Sequence, residues 1–357
     1  GEAGIGKSRL LEELLGIVAG DPHATVRYQC SPYHVDSALH PVVEHLRRAS
    51  AIRPDDTLDE QLDKIERLVG PSDRPVAPAA LVAMLLDIDG TSRYGSVEAS
   101  PAQLRHLTMA MLTELWTRLA AVVPLIWVIE DVQWIDPTTR ELIELALDTV
   151  PTMPVLVLAT NRPDAHGDFP NSSTVERLRL SRLGVDDVAQ IVGGVAGSKR
   201  LPRDLLDQIV AKTDGVPLFV EETTKAVIES AVVDDADDPT MAGLSDQVPV
   251  PTSLHDSLVS RLDRLGPAKD VAQTAAVIGR SFGEHMLAAL CGPRENFAAS
   301  LDRLVGAEVV DVDSSRSASE TVYRFRHALL RDVAYASLLT STRRRLHRES
   351  ADVLAGA

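Results

Sequence analysis

Leu10, Leu11, Leu14, Leu15 and Val18 recur at three- and four-residue intervals, the period of a helix with one apolar face. Gly20-Asp21-Pro22 ends that pattern, and a short strand candidate follows at 26–29. From His40 to Ala121 helical spacing dominates, with helices predicted at 41–50, 58–68, 79–86 and 101–121. Ser100-Pro101 supplies an N-cap and a first-turn proline for the last of these. The run 125–129, Leu-Ile-Trp-Val-Ile, is continuously apolar and of strand length, the pattern of a strand covered on both faces. Asp136-Pro137 then caps a helix reaching about Val150, a second buried strand is predicted at 155–159, and a further strand at 177–180.

Strands and helices in this order predict a doubly wound parallel sheet flanked by helices, with ligands at the carboxyl ends of its strands. Residues 185–232 read as three helices, the last beginning after Gly215-Val216-Pro217 and placed to close over a ligand. The stretch 234–247 combines acidic, Gly and Pro residues with little periodicity and reads as a linker. Helices are then predicted at 253–265, 268–278, 282–291 and 295–306, followed by strands at 309–312 and 322–326 joined by a Ser-rich turn, a pattern like that of a winged helix. Two more helical stretches, 329–339 and 343–354, follow. The expected organisation is an α/β core over 1–182 with a helical insertion at about 40–121, a helical lid over 183–233, a linker over 234–250, a winged-helix-like domain over 251–327, and the start of a helical region over 328–357.

The chemistry begins at the first residue. Gly1-Glu2-Ala3-Gly4-Ile5-Gly6-Lys7-Ser8 has the spacing G-x-x-x-x-G-K-S, a loop whose backbone N–H groups cradle nucleotide phosphates. Glycine permits the positive φ and close approach that the cradle needs, and the helix starting near Ser8 directs unpaired N–H groups at the same anion. Lys7 is expected to reach the β- and γ-phosphate oxygens, and the Ser8 hydroxyl to enter the shell of a Mg²⁺ ion. The candidate nucleotide-binding residues here are Gly1, Gly4, Ile5, Gly6, Lys7, Ser8 and Arg9. This loop normally follows a buried strand, so its place at Gly1 implies a fragment whose first strand lies upstream. The fold class expected is therefore an α/β P-loop NTPase with its first strand missing, followed by the lid and the winged-helix domain.

Glu130 and Asp131 end the apolar strand 125–129, where phosphoryl transfer needs one carboxylate for Mg²⁺ and one to polarise water. Ser8, Glu130 and Asp131 are the candidate metal residues, and which of the two acids meets the ion is left open. Arg162 follows the next strand and is a candidate γ-phosphate sensor. Asp136 reads as a helix cap, Trp134 as packing, and Arg343–Arg345 as a solvated helix face.

Composition narrows the field. A chain of 357 residues accommodates two or three domains, and 45% hydrophobic with 25% charged residues is ordinary for a globular protein. The net charge of −16 opposes wrapping of nucleic acid over the whole surface. The apolar run from Leu119 to Ile129 is too short to span a bilayer and contains Pro124. Cys30 and Cys291 lie far apart in sequence and form no metal-ligand spacing, which fits a reducing cytoplasm.

With these residues placed, the chain resembles the signal-transducing NTPase modules of the STAND type, also described as origin-recognition-like AAA ATPase domains. The segments GEAGIGKSRLLEELL, VIEDVQWIDPTTRELIEL, DGVPLFVEETTKAVIES and FRHALLRDVAYASLL carry the resemblance in order and spacing. CSPYHVDSALHPVVEHLRRAS is most similar to modules attached to class III adenylate/guanylate cyclase domains, and LuxR-type regulators share a looser version. The resemblance implies that Pro217 touches adenine, that Arg162 is the sensor, and that His327 contacts the β-phosphate. It also implies ATP or ADP with Mg²⁺ as cofactors, ATP-dependent homo-oligomers, and a slowly hydrolysing switch that controls an attached cyclase domain absent from these residues. The alternative is an ATP-dependent DNA-binding regulator whose winged helix and arginines touch duplex phosphates.

Overall fold

Alternation along one central strand sets the architecture of the first half. The computed structural model describes residues 1–53, 56–72, 74–148, 150–162, 175–197, 201–232, 253–292, 296–312 and 321–356. The chain divides into two compact units, one formed by Gly1–Glu2 with Lys7–Arg179 and the other by Ala3–Gly6 with Leu180–Ala357.

In the first unit, α1 (Lys7–Val18) leads to β1 (Ala24–Gln29), and five helices separate β1 from β2 (Leu125–Glu130): α2 (His40–Ser50), α3 (Leu58–Val69), α4 (Pro78–Leu85), α5 (Thr91–Tyr94) and α6 (Pro101–Val122). Helix α7 (Pro137–Leu147) then precedes β3 (Val155–Ala159). The sheet order is β1-β2-β3, all parallel, with Gln29 beside Glu130 and Ile129 beside Ala159. Every residue of β2 is buried because helices cover both of its faces. Ile126 and Val128 pack with Leu11 of α1, while Leu125, Trp127 and Ile129 join a large core built with α2, α3, α4, α6 and α7. Two-sided cover is why the strand reads as an unbroken apolar run.

Trp127 is the centre of that core. Its ring lies 4.3 Å from Trp116 of α6 and 5.6 Å, edge-on, from Tyr28 of β1. Such pairs add about 0.5–1.5 kcal/mol each beyond the area they bury. Two helices of the insertion, α3 and α6, start on sequence-encoded caps: Thr57 with Glu60 and Ser100 with Gln103 both form reciprocal capping boxes. The predicted strand at 177–180 is not formed, because residues 175–184 carry no regular structure. A strand exists through its ladder, and β3 pairs only with β2 among the described residues.

In the second unit, α8 (Val185–Ala196), α9 (Arg203–Thr213) and α10 (Pro217–Val232) pack through Val188, Val192, Leu205, Ile209, Val220 and Val227. Then come α11 (Leu254–Asp263), α12 (Ala268–Ile278), β4 (Ser281–Gly283), α13 (Glu284–Cys291), α14 (Phe297–Gly306), β5 (Val310–Val312), β6 (Val322–Phe325), α15 (Ala328–Ala336) and α16 (Thr340–Gly356). Ala272, Ala275 and Ala276 give α12 a thin buried face, so its neighbours approach closely around Phe282, Leu287, Leu304 and Phe325. The sheet order is β4-β6-β5, antiparallel throughout. The helix predicted at 282–291 therefore starts two residues late: Ser281–Gly283 pairs with β6 as a strand before the turn into α13. The predicted linker 234–250 and the Ser-rich turn between β5 and β6 lie outside the described residues. No described helix is long and apolar enough to cross a membrane.

Candidate functional site

The loop before α1 turns through Gly4 at φ 77° and Gly6 at φ 102°, a region that side-chain-bearing residues rarely enter. Ile5 between them is buried and anchors the turn. Lys7, the first residue of α1, folds back over the loop, and its Nζ donates to the carbonyls of Gly1 at 2.7 Å and Glu2 at 2.8 Å. Burial pulls its pKa down, Asp131 opposes that, and Arg162 adds to it. An ammonium group held by loop carbonyls beside an arginine is a point charge ready to exchange those carbonyls for anionic oxygens.

Ser8 follows in the first turn of α1. Its hydroxyl donates to Oε2 of Glu130 at 3.1 Å, bringing the end of the loop to the carboxyl end of β2. Glu130 is 1% exposed. Its other oxygen, Oε1, accepts from Arg27 Nε of β1 at 2.7 Å, and the same guanidinium reaches Glu12 of α1 at 2.8 Å. Burial opposes the charge of Arg27, yet the Glu130 and Glu12 carboxylates outweigh it and raise its pKa.

Asp131 leaves the strand at φ 57° and heads a short helical turn, Val132–Trp134. Its backbone N–H donates to Thr160 Oγ1 at 3.0 Å, while its carboxylate accepts from Gln29 Nε2 at 3.2 Å and from Gln133 Nε2 at 3.0 Å. Gln133 also accepts from the backbone N–H of Arg162 at 3.3 Å. Cys30, just past β1, is a buried free thiol pushed up to about 12 by burial and then by Asp131, Asp136 and Glu130, so it stays protonated and unreactive. Asp136 is the cap that its place before Pro137 predicts, accepting from the N–H groups of Thr138, Thr139 and Leu39. Trp134 packs against the large core.

Lys7, Ser8, Glu130, Asp131 and Arg162 thus share one corner at the carboxyl end of the sheet. Arg9 does not join them: its side chain is 84% exposed and stands 3.8 Å from Glu13. Pro217 and His327 belong to the second unit. Pro217 opens α10 beside Leu218, whose N–H donates to the Gly4 carbonyl at 3.2 Å. A Cβ on Gly4 would come within 3.2 Å of Leu218 and 3.3 Å of Val216. His327 precedes α15, and one of its ring nitrogens lies within 4.8 Å of carboxylate oxygens of Glu221 and Glu222. Those two acids already pair with Lys225 and Arg261, respectively.

Sequence reasoning missed Arg27, Glu12, Gln29, Gln133 and Thr160. For Arg27 and Gln29 a signal exists: polar residues at alternate positions of β1 mark one face, and both acids sit against that face. The oxygen donors fit a hard divalent cation, since a serine hydroxyl and a carboxylate oxygen stand together at a strand end behind a glycine-rich anion cradle.

Comparison with known proteins bears on the segment that carries this corner. An uncharacterized protein of Rhizobium meliloti (strain 1021) is 31% identical over 357 residues, which take in 98% of this chain and 33% of the relative. The chain therefore spans about a third of the length of the curated relative it matches. Residues 1–158 match a family described as the AAA ATPase domain. Together with the parallel sheet and its flanking helices, that match supports an AAA-type ATPase module of P-loop NTPase architecture over this segment.

Proposed function

We propose that this chain is the ATP-binding, slowly ATP-hydrolysing switch module of a multidomain signalling regulator of the STAND type. The observation that carries the reading is the Ser8–Glu130 hydrogen bond at 3.1 Å, which joins the phosphate loop to the acid pair beneath Lys7. Lys7 and Arg162 would bind the terminal phosphates, Ser8 and Glu130 would hold Mg²⁺, and Asp131 would orient the attacking water. The bound ion would supply charge neutralisation at the phosphates.

Further parts of the reading rest on the second unit. Helices α8–α10 would form the lid, α11–α14 with the antiparallel sheet the winged-helix domain, and the residues from 328 the start of a helical region. Adenine contact by Pro217 is supported by the Leu218–Gly4 hydrogen bond. Phosphate contact by His327 is supported by its buried Nε2, which has no hydrogen-bond partner among the described residues. A relative of which this chain spans 33% is consistent with further domains in the parent, among them the cyclase that the resemblance implies; nucleotide-dependent self-assembly and a cytoplasmic setting belong to the same proposal. The DNA-binding alternative is weaker, because Arg343 is spent on the carbonyls of Tyr335 and Leu338 and Arg345 on Glu349.

Calorimetric titration with ATP and ADP in Mg²⁺ tests the reading. Lys7→Ala should weaken ATP binding by about 10–100-fold, the worth of one or two charge-assisted hydrogen bonds. Equal affinity in both proteins would sink it.

A further inference from the structure

Two acids in sequence do not by themselves decide which one meets the metal, and a glutamate in the first place has one more rotatable bond than an aspartate would. Something must hold its longer side chain. β1 provides it. Arg27 and Gln29 lie on one face of that strand, and each holds one acid of the pair: Arg27 Nε donates to Glu130 Oε1 at 2.7 Å, and Gln29 Nε2 to Asp131 Oδ2 at 3.2 Å. The guanidinium is itself fixed, because its second arm reaches Glu12 Oε1 at 2.8 Å, and its own backbone carbonyl accepts from Arg48 at 2.9 Å. With Oε1 bound by Arg27, the carboxylate plane of Glu130 turns Oε2 onto the Ser8 hydroxyl at 3.1 Å. Arg27 and Lys7 also supply two positive charges against the three carboxylates of Glu12, Glu130 and Asp131.

We propose that Arg27 is a positioning residue for Mg²⁺: by clamping Oε1 of Glu130 it presents Oε2 beside Ser8 and assigns Glu130, rather than Asp131, to the metal. The assignment rests on the nucleotide-site reading above. The extra methylene of a glutamate, compared with an aspartate, lets Glu130 reach both the arginine on β1 and the serine on α1. Outer partners of metal-holding carboxylates set both orientation and charge, and their removal typically costs 10–100-fold in metal affinity.

The test is the gain in ATP affinity on adding Mg²⁺, measured by calorimetry as the ratio of dissociation constants in EDTA and in saturating Mg²⁺. Arg27→Met should lower that ratio by about tenfold while leaving the EDTA value within about threefold of wild type. Arg27→Lys, which keeps the charge without the fork, should recover part of the loss. A purely structural arginine would lower the melting temperature and leave the ratio unchanged, so an unchanged ratio in folded Arg27→Met overturns the proposal. If that variant does not fold, Glu12→Gln decides: it frees one arm of the clamp and should reduce the ratio in the same direction, and an unchanged ratio is again decisive against it. Wild type that binds no ATP in EDTA or in Mg²⁺ fails differently, overturning the nucleotide-site reading and this inference with it.

Discussion

Asp131 occupies the left-handed region at φ 57°, ψ 49°, where Asp and Asn are the residues best tolerated after glycine. Asp131→Asn therefore keeps the turn and removes only the negative charge. If Asp131 polarises water, phosphate release should fall by about 100-fold or more while Mg-ATP affinity stays within a few-fold; a parallel loss of affinity would put Asp131 on the metal instead. Asp136 permits a prediction independent of nucleotide. It is 1% exposed, and its Oδ1 accepts from three backbone N–H groups, including that of Leu39 across the fold. Asp136→Ala should cost about 2–4 kcal/mol in urea unfolding, the sum of a lost cap and a buried N–H left without an acceptor, and Asp136→Asn, which keeps an acceptor, should cost less than half of that. Asp136 was legible because a cap is a local property. Arg27 was not, because it lies 103 positions from Glu130 and only the parallel ladder brings the two together.

Helix contacts in the second unit depend on a buried charge. Arg261 of α11 pairs with Glu222 of α10, and its other arm donates to the Ala307 carbonyl just after α14 at 2.6 Å. Glu222 is 2% exposed, and burial raises its pKa in spite of the arginine. Removing one partner leaves the other desolvated, so Arg261→Met should destabilise the chain by about 3–5 kcal/mol. Arg261→Met with Glu222→Leu should be less damaging than the single change, and a double-mutant cycle read by urea unfolding measures the coupling. A purely additive cycle would mean that the pair does not join these helices. Neither residue stands out in the sequence, where both fall within ordinary amphipathic patterns. Elements whose signal is local were legible: β3 falls on the predicted 155–159, and α6 begins at Pro101 after its Ser100 cap. Elements defined by a distant partner were not. Strand β4 is three residues long and exists through β6, some forty positions later, whereas 177–180 has strand-like composition and no ladder among the described residues.

For the molecule as a whole, each unit carries its own apolar cluster, around β2 in one and α12 in the other. Acid should therefore act on them separately, and the second unit has a specific weak point. Burial pushes His327 down to about 4; Glu221 opposes the shift, and Arg261, Lys225 and Arg326 add to it. In the unfolded chain the imidazole takes up a proton near its ordinary value of 6.5, while the folded unit refuses it until about pH 4. Protons thus favour the unfolded state across that window, and stability falls as pH drops from 6.5 to 4, on the order of 1–3 kcal/mol in total. Glu308 acts lower on the scale. Its hydrogen bond to Lys225, together with Arg326, outweighs burial and lowers it to about 2, so its contribution is complete above 4.5 and is lost as pH falls toward 2. The two groups therefore separate in a calorimetric series from pH 7 to pH 3. His327→Gln should flatten the upper part of the slope and leave the lower part in place, whereas Glu308→Gln should do the reverse. The same slope in wild type and His327→Gln between pH 6.5 and 4 would show that the imidazole is hydrated enough to charge in the folded state, and that burial does not hold it neutral there.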